Sequence, residues 1–152
     1  EVSPELQQRA EDTARRALEA LDYVGVLAIE LFDLAGHLYA NEMAPRVHNS
    51  GHWSIEGSIT SQFENHLRAV LGLPLGDTAM ASAAGMLNLL GTEPPLAELL
   101  AVPGARVHRY GKSPRPGRKL GHVTVLGRDL PEVRARLGAL RRVMHDATHG
   151  DP

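Results

Sequence analysis

Hydrophobic residues recur every three or four positions along ELQQRAEDTARRALEAL near the N-terminus, which is the spacing of one helix face. Ser3 is placed to cap this helix and Pro4 to begin it, so a helix is predicted from Pro4 to about Asp22. The next apolar stretch, DYVGVLAIELFDLAGHLYANEMA, has the character of strands and is interrupted by Gly36. It predicts two antiparallel strands joined by a short turn, followed by a loop that continues through Gly57.

The second half of the chain predicts another mixture of helices and strands. Ser61 and Glu64 form a capping box for a helix that Gly72 closes. LPLGDT then marks a boundary, AAGMLNLLG is predicted to be a buried strand and PPLAELL a short helix. RVHRYG and KLGHVTVLG are predicted strands on either side of the loop KSPRPGR. A final amphipathic helix is predicted from Asp129 to His145.

Composition narrows the class of protein. The chain has 152 residues, is 43% hydrophobic and 22% charged, and carries a formal net charge of -2, which favours a globular fold without a general attraction to nucleic acid or membranes. The absence of cysteine excludes disulfides, thiolate metal sites and a cysteine nucleophile, and it agrees with a cytoplasmic location. No apolar run approaches the ~18 residues of a membrane helix. The first residue is Glu, so we expect the chain to be a piece of a longer protein.

Two glutamates lie on strand faces that are otherwise apolar. If the turn has three residues, 34–36, then Ala40 lies opposite Glu30, and Glu42 is the diagonal neighbour of Glu30 on a partly buried face. Two such carboxylates repel each other unless a cation or proton intervenes, and oxygen ligands suit Mg²⁺, which often accompanies phosphates. The alternatives are that either glutamate faces solvent or pairs with an arginine, or that a register slip separates the two faces.

The stretch NEMAPRVHNSGHW, which follows the second strand, carries many different polar groups. Arg46, His48, Asn49 and Ser50 offer a guanidinium, an imidazole, an amide and a hydroxyl, and Gly51 permits close approach of the backbone. These groups suit a small planar anion, because a guanidinium can bind two oxygens at once. The alternative is that they cap backbone groups in a long loop.

A second polar feature is the segment from Leu99 to Arg128, which contains seven Lys or Arg residues and no acidic residue. Within it, Lys112, Arg118 and Lys119 could bind a phosphate. A nucleic-acid patch and a solvated positive face are the alternatives. Three other histidines lack metal-ligand spacing and are expected to be structural, namely His66, His108 and His122.

Several motifs together resemble one family. ELF, NEMAPRVHNSGHWSIEGSITSQFENHLRAVLGLPLG, MLNLLG and YGKSPRPGRKLGHVTVLG resemble, in order and spacing, the C-terminal part of the 5-(carboxyamino)imidazole ribonucleotide synthase family. These are ATP-grasp enzymes of purine biosynthesis. The resemblance implies an α+β fold, with the C-terminal half of an ATP-grasp lobe over residues 1–74, built as an antiparallel sheet with flanking helices. A small β-rich C-terminal domain with a terminal helix is implied over residues 75–152.

The resemblance also implies roles for the candidate residues. The expected cofactors are ATP and Mg²⁺, with the metal held by Glu30 and Glu42 and the nucleotide bordered by Asn41 and Glu42. Bicarbonate, or the carboxyphosphate made from it, would be held by the catalytic loop residues Arg46, His48 and Asn49. The substrate-binding residues would be Ser50 and, for the phosphate of 5-aminoimidazole ribonucleotide, Lys112, Arg118 and Lys119. Many ATP-grasp enzymes have an asparagine metal ligand where this chain has Ala44, so a third ligand from this strand is not expected.

The implied reaction is ATP-dependent carboxylation of 5-aminoimidazole ribonucleotide by bicarbonate. The implied partners are these two substrates, the missing N-terminal domains and a second copy in a homodimer, with neither nucleic acid nor membrane. Because the N-terminal domains supply part of the family's site, the chain is expected to be inactive alone. A related ATP-grasp enzyme acting on glycinamide ribonucleotide is one alternative, although that family has Asp-Thr where this chain has Asn49-Ser50. A non-catalytic binding or oligomerisation module is the other.

Overall fold

The computed structural model describes residues 2–149, which fall into two compact units. Unit 1 comprises the described residues up to His52 together with Thr60–Asp77, and unit 2 comprises Trp53–Ile59 and the described residues from Thr78 onward. The predicted domain boundary after residue 74 remains a prediction. In the described part of the chain, no helix combines the length and apolar character needed to cross a membrane.

Both units contain helices and antiparallel strands, as the α+β prediction required. In order, the elements are α1 (Pro4–Leu21), β1 (Ala28–Leu34), β2 (His37–Ala44), a 3₁₀ turn (Asn49–Gly51), α2 (Ser54–Gly57), α3 (Gln62–Val70), β3 (Ala83–Leu90), α4 (Leu96–Ala101), β4 (Ala105–Arg109), β5 (Lys119–Gly127) and α5 (Leu130–His149). The prediction of one continuous loop through Gly57 is wrong, because that stretch contains the 3₁₀ turn and α2.

Local capping explains where the helices of unit 1 begin. The Ser3 hydroxyl accepts a hydrogen bond from the backbone N–H of Leu6 at 3.2 Å, and the Ser61 hydroxyl accepts one from Glu64 at 3.2 Å. Each satisfies a backbone donor that the first helical turn leaves without a partner. Both predicted helix starts are confirmed.

The β1–β2 hairpin has a tighter turn than predicted. Ala35 and Gly36 alone connect the strands, with φ of 50° and 80°, because Leu34 already pairs with His37. A bulge between Glu30 and Leu31 then shifts the register. The predicted three-residue turn is therefore wrong.

The first strand also begins later than its apolar pattern suggested. Gly25 has φ 130°, a conformation that side chains rarely adopt, and the backbone N–H of Val26 donates to His66 Nδ1 at 3.0 Å. This bond fixes the segment before β1 and gives His66 the structural role expected of it.

Unit 2 is built on a three-stranded antiparallel sheet in the order β3-β5-β4. The central strand β5 supplies fully buried residues such as Val123 and Val125, and α5 covers the sheet with Leu140, which is 0% exposed. A Cβ at Gly85 of β3 would lie 2.7 Å from Leu137 of α5, so glycine permits the close approach of helix and strand. The apolar face predicted for the final helix is confirmed.

Candidate active site

The hairpin of unit 1 brings two carboxylates together. Glu30 and Glu42 are direct cross-strand partners, because the two-residue turn and the bulge each shift the pairing by one residue from the diagonal arrangement that the predicted turn implied. Side chains in such a pair have Cβ atoms roughly 4.5–5.5 Å apart, and like charges there are destabilising. Both residues are exposed, so the predicted partly buried face is wrong, but their convergence is closer than predicted.

The two carboxylates fit a hard divalent cation that takes its remaining ligands from other molecules. Residues 2–149 contain no group of three or more His, Asp or Glu arranged to hold a metal ion. Mg²⁺ commonly uses one or two carboxylates and completes its shell with phosphate oxygens and water. Ala44 ends β2, is 5% exposed and has no donor atom in its side chain, so its side chain adds no third ligand. Glu30 and Glu42 are thus the protein donors that such an ion would use.

Glu30 is also the contact point between the hairpin and the polar loop, which comprises residues 45–53. Its Oε2 accepts a hydrogen bond from Asn41 Nδ2 at 3.2 Å, and its Oε1 lies 3.5 Å from His48 Nε2. His48 Nδ1 accepts the backbone N–H of Ser50 at 3.3 Å and lies 2.9 Å from the Ser50 hydroxyl. Because Nδ1 is an acceptor, a neutral His48 carries its proton on Nε2, directed toward Glu30.

The polar loop is held by a residue that sequence reasoning missed. Gln62, the first residue of α3, accepts the backbone N–H of His48 at 3.0 Å and donates to the His48 carbonyl at 2.8 Å. Its Nε2 also lies 2.8 Å from His52 Nδ1. A Cβ at Gly51 would lie 2.5 Å from Gln62 Oε1, so glycine is required for this approach. The signal was the position of Gln62 directly after the Ser61 cap, where its side chain can reach back toward the preceding loop.

The remaining predicted loop residues lie in the same segment. Arg46 is exposed, and its Nη1 donates to the Val47 carbonyl at 3.0 Å. Among the described residues it forms no ion pair, which leaves its charge uncompensated by an acidic side chain. Asn49 is half-buried and begins the 3₁₀ turn. Glu30, Asn41, Glu42, His48 and Ser50 are therefore brought together, with Arg46 and Asn49 adjacent in the chain.

The predicted phosphate-binding residues lie in unit 2, in the basic loop, which comprises residues 110–119. Lys112 is exposed with its Nζ 5.2 Å from the centre of the Tyr110 ring, and Arg118 Nη1 donates to the Ser113 carbonyl at 3.4 Å. In residues 2–149, no ion pair involves Lys112, Arg118 or Lys119. By contrast, Arg109 pairs with Glu93 at 3.2 Å. The segment from Leu99 to Arg128 therefore has less uncompensated positive charge than its composition suggested.

Comparison with known proteins finds a matching family in each half of the chain. Residues 1–63 match the ATP-grasp domain family, and residues 84–136 match the phosphoribosylaminoimidazole carboxylase C-terminal domain family. The chain is 53% identical to N5-carboxyaminoimidazole ribonucleotide synthase of Pseudomonas aeruginosa over 139 residues, which cover 91% of this chain and 39% of that protein. The chain corresponds to the C-terminal part of the N5-carboxyaminoimidazole ribonucleotide synthases. The resemblance read from the motifs is confirmed.

Solved structures of the synthase family agree with this assignment. The Thermus thermophilus synthetase superposes with a TM-score of 0.86 at 60% identity, covering 93% of this chain and 39% of that one. The Aspergillus clavatus synthase, solved with ADP and 5-aminoimidazole ribonucleotide, gives a TM-score of 0.82 at 38% identity, covering 95% of this chain and 41% of that one. The predicted ATP-grasp fold, followed by the family's small C-terminal domain and terminal helix, is confirmed. The chain spans about two fifths of the length of the relatives it matches.

Proposed function

We propose that this chain is the C-terminal part of an ATP-dependent ligase that carboxylates 5-aminoimidazole ribonucleotide with bicarbonate, giving ADP and phosphate, in purine biosynthesis. The observation that carries this proposal is the Glu30–Glu42 cross-strand pair, joined through Glu30 to Asn41 and His48, in a chain of this family. The domain boundary is proposed after residue 74, with the ATP-grasp part before it and the small domain after it.

The carboxylate end of the site would bind ATP and its metal. Glu30 and Glu42 would hold Mg²⁺, and Asn41 and Glu42 would border the nucleotide. A bound Mg²⁺ neutralises phosphate charge during phosphoryl transfer. The Asn41 amide restrains one Glu30 oxygen at 3.2 Å, which limits how far that carboxylate can turn away from Glu42.

The polar loop would hold the small anion. The Arg46 guanidinium would bind two oxygens of bicarbonate or carboxyphosphate, with His48 and Asn49 completing the shell and Ser50 holding substrate. The Ser50 backbone N–H on His48 Nδ1 fixes the imidazole tautomer, so Nε2 is the atom that presents a proton. Catalysis would consist mainly of positioning and charge neutralisation. Water would have to be excluded, because carboxyphosphate is hydrolysed readily.

The basic loop of unit 2 would bind the other substrate. Lys112, Arg118 and Lys119 would contact the phosphate of 5-aminoimidazole ribonucleotide, whose amine then attacks carboxyphosphate or the CO₂ released from it. We further propose that the N-terminal domains found in longer relatives complete the site, that the complete enzyme is a cytoplasmic homodimer, and that the 152-residue chain alone does not turn over.

The deciding experiment measures ADP release by the native-length protein. The substrates compared are 5-aminoimidazole ribonucleotide and glycinamide ribonucleotide, each with and without bicarbonate. Stimulation only by 5-aminoimidazole ribonucleotide together with bicarbonate is the expected result. Stimulation only by glycinamide ribonucleotide would overturn the substrate assignment, and stimulation by neither would overturn the ligase proposal. The isolated chain, assayed in parallel, is expected to release no ADP above background.

A further inference from the structure

A series of polar side chains in contact with one another runs through unit 2 and ends at the basic loop. It begins at Glu56 on α2, whose Oε1 lies 2.6 Å from His108 Nε2. The His108 ring stacks on the His122 ring, with centroids 4.5 Å apart and planes 11° from parallel. His122 Nδ1 lies 2.7 Å from the Tyr110 hydroxyl, and the Tyr110 ring lies beneath the Lys112 ammonium.

The inner end of this series is half-buried, with the Glu56 side chain more shielded from solvent than that of His108. The Glu56 side chain is 14% exposed, and within residues 2–149 its Oε2 is buried without a hydrogen-bond partner. A carboxylate in such a place requires a close opposite charge or donor, and His108 provides it. His122 is 1% exposed. The Glu56–His108 contact therefore satisfies one oxygen of a half-buried carboxylate, which favours keeping it formed.

The sheet sets the position of the two imidazoles. His108 of β4 and His122 of β5 are cross-strand partners, so the backbone ladder holds their rings together. Tyr110 lies two residues beyond His108, and in an extended backbone side chains two residues apart point to the same side of the sheet. Its backbone N–H donates to the Leu120 carbonyl at 2.8 Å, which extends the ladder just past β4. Tyr110 is thus fixed by its backbone and by its hydroxyl.

The basic loop itself has few attachments. Residues 111–117 are exposed and have no helix or strand structure. The C-terminal end of the loop is held where Gly91 N–H donates to the Arg118 carbonyl at 2.9 Å, immediately before β5. At the N-terminal end, the fixed side chain is Tyr110, two residues before Lys112. A cation over an aromatic face is attracted to it, so the Tyr110 ring limits where the ammonium of Lys112 lies.

We infer that Glu56, His108, His122 and Tyr110 are positioning residues that hold Lys112 where the phosphate of the ribonucleotide substrate binds. This inference rests on the proposed function and deepens it. The four residues act on substrate affinity through Lys112 and take no part in phosphoryl transfer. Fixing Lys112 in advance reduces the side-chain entropy lost when the phosphate binds.

The test is a double-mutant cycle in the native-length protein. Tyr110→Phe removes only the hydroxyl that meets His122 and keeps the ring beneath the ammonium. We expect the KM for 5-aminoimidazole ribonucleotide to rise about 3- to 10-fold, the effect of one lost hydrogen bond, with kcat and the KM for ATP unchanged. Lys112→Ala should raise the same KM further, and adding Tyr110→Phe to it should have no additional effect. Tyr39→Phe, which removes an exposed hydroxyl from β2, is the matched control and should be silent.

Each outcome decides the inference. Equal KM values for wild type and Tyr110→Phe, or additive effects of Tyr110→Phe and Lys112→Ala, would overturn it while leaving the proposed function intact. A loss of kcat with unchanged KM would also overturn it, because that result indicates a general structural or catalytic role. If the wild-type protein shows no ADP release dependent on 5-aminoimidazole ribonucleotide, the proposed function and this inference both fail.

Discussion

Replacing Gln62 with alanine should release the loop that carries Arg46 and His48. The substitution removes three contacts of 3.0, 2.8 and 2.8 Å, two to the backbone of His48 and one to the ring of His52. Hydrogen bonds contribute about 0.5–1.5 kcal/mol each, and those to a half-buried segment are partly replaced by water, so roughly 2 kcal/mol is expected in total. If the whole of this free energy is lost from the ordered conformation of the loop, the population of that conformation falls, and kcat/KM for bicarbonate falls with it by about 30-fold.

Two measurements separate loop positioning from general stability. Bicarbonate-dependent ADP release is measured in the native-length protein, and urea unfolding is measured in the 152-residue chain. Gly51→Ala provides an independent approach to the same contact, since its new methyl group would lie 2.5 Å from Gln62 Oε1 and displace that side chain. Gln8→Ala is the matched control, because Gln8 lies on α1 and its side-chain amide donates to the exposed Asp12 carboxylate at 3.0 Å, away from the loop. A Gln62→Ala protein with unchanged kcat/KM for bicarbonate would refute the reasoning.

Three further predictions concern the metal, the core and pH. Glu30→Gln should raise the Mg²⁺ concentration for half-maximal ADP release about tenfold, whereas Glu19→Gln on α1 should not; equal requirements would remove Glu30 from the metal site. Leu140→Ala, at a fully buried position, should lower the free energy of unfolding by about 2–5 kcal/mol in urea, and a loss below about 1 kcal/mol would contradict the packing of α5. The backbone N–H of Arg128 holds the pKa of Glu132 below its ordinary value, so this carboxylate stabilises the fold at neutral pH and ceases to do so as pH falls through that lowered pKa. The stability difference between wild type and Glu132→Gln should therefore shrink in acid, and a constant difference from about pH 7 to about pH 3 would contradict this assignment.

Features set by short segments could be predicted closely. The start of α1 and α3 follows from Ser3 and Ser61, each of which caps a backbone donor three residues ahead. The burial of Val133 and Leu140 on α5 follows from their spacing, which places them on one face. In each case the physical cause lies within one or two helical turns, so neighbouring residues alone contain the information.

Features that depend on strand pairing could not be predicted in the same way. The sequence suggested that Glu30 and Glu42 share a face, but a three-residue turn was assumed where Ala35 and Gly36 suffice. The shorter turn moves the pairing by one residue, which alone would separate the two carboxylates onto opposite faces, and the bulge beside Glu30 moves it by one more. Together the two changes return the carboxylates to one face as direct partners, because register is a property of two strands together.

The sequence by itself determined the family resemblance, the order of the elements other than the 3₁₀ turn and α2, and the residue types gathered at the polar loop, because these depend on local pattern and on motifs in a fixed order. Only the tertiary structure decided that Gln62 holds His48, that Glu30 meets His48, and that His108 and His122 stack beside the strand end that leads into the basic loop. Those contacts join residues 14 to 18 positions apart, and a side chain's partner at that separation is set by packing rather than by its neighbours in the chain.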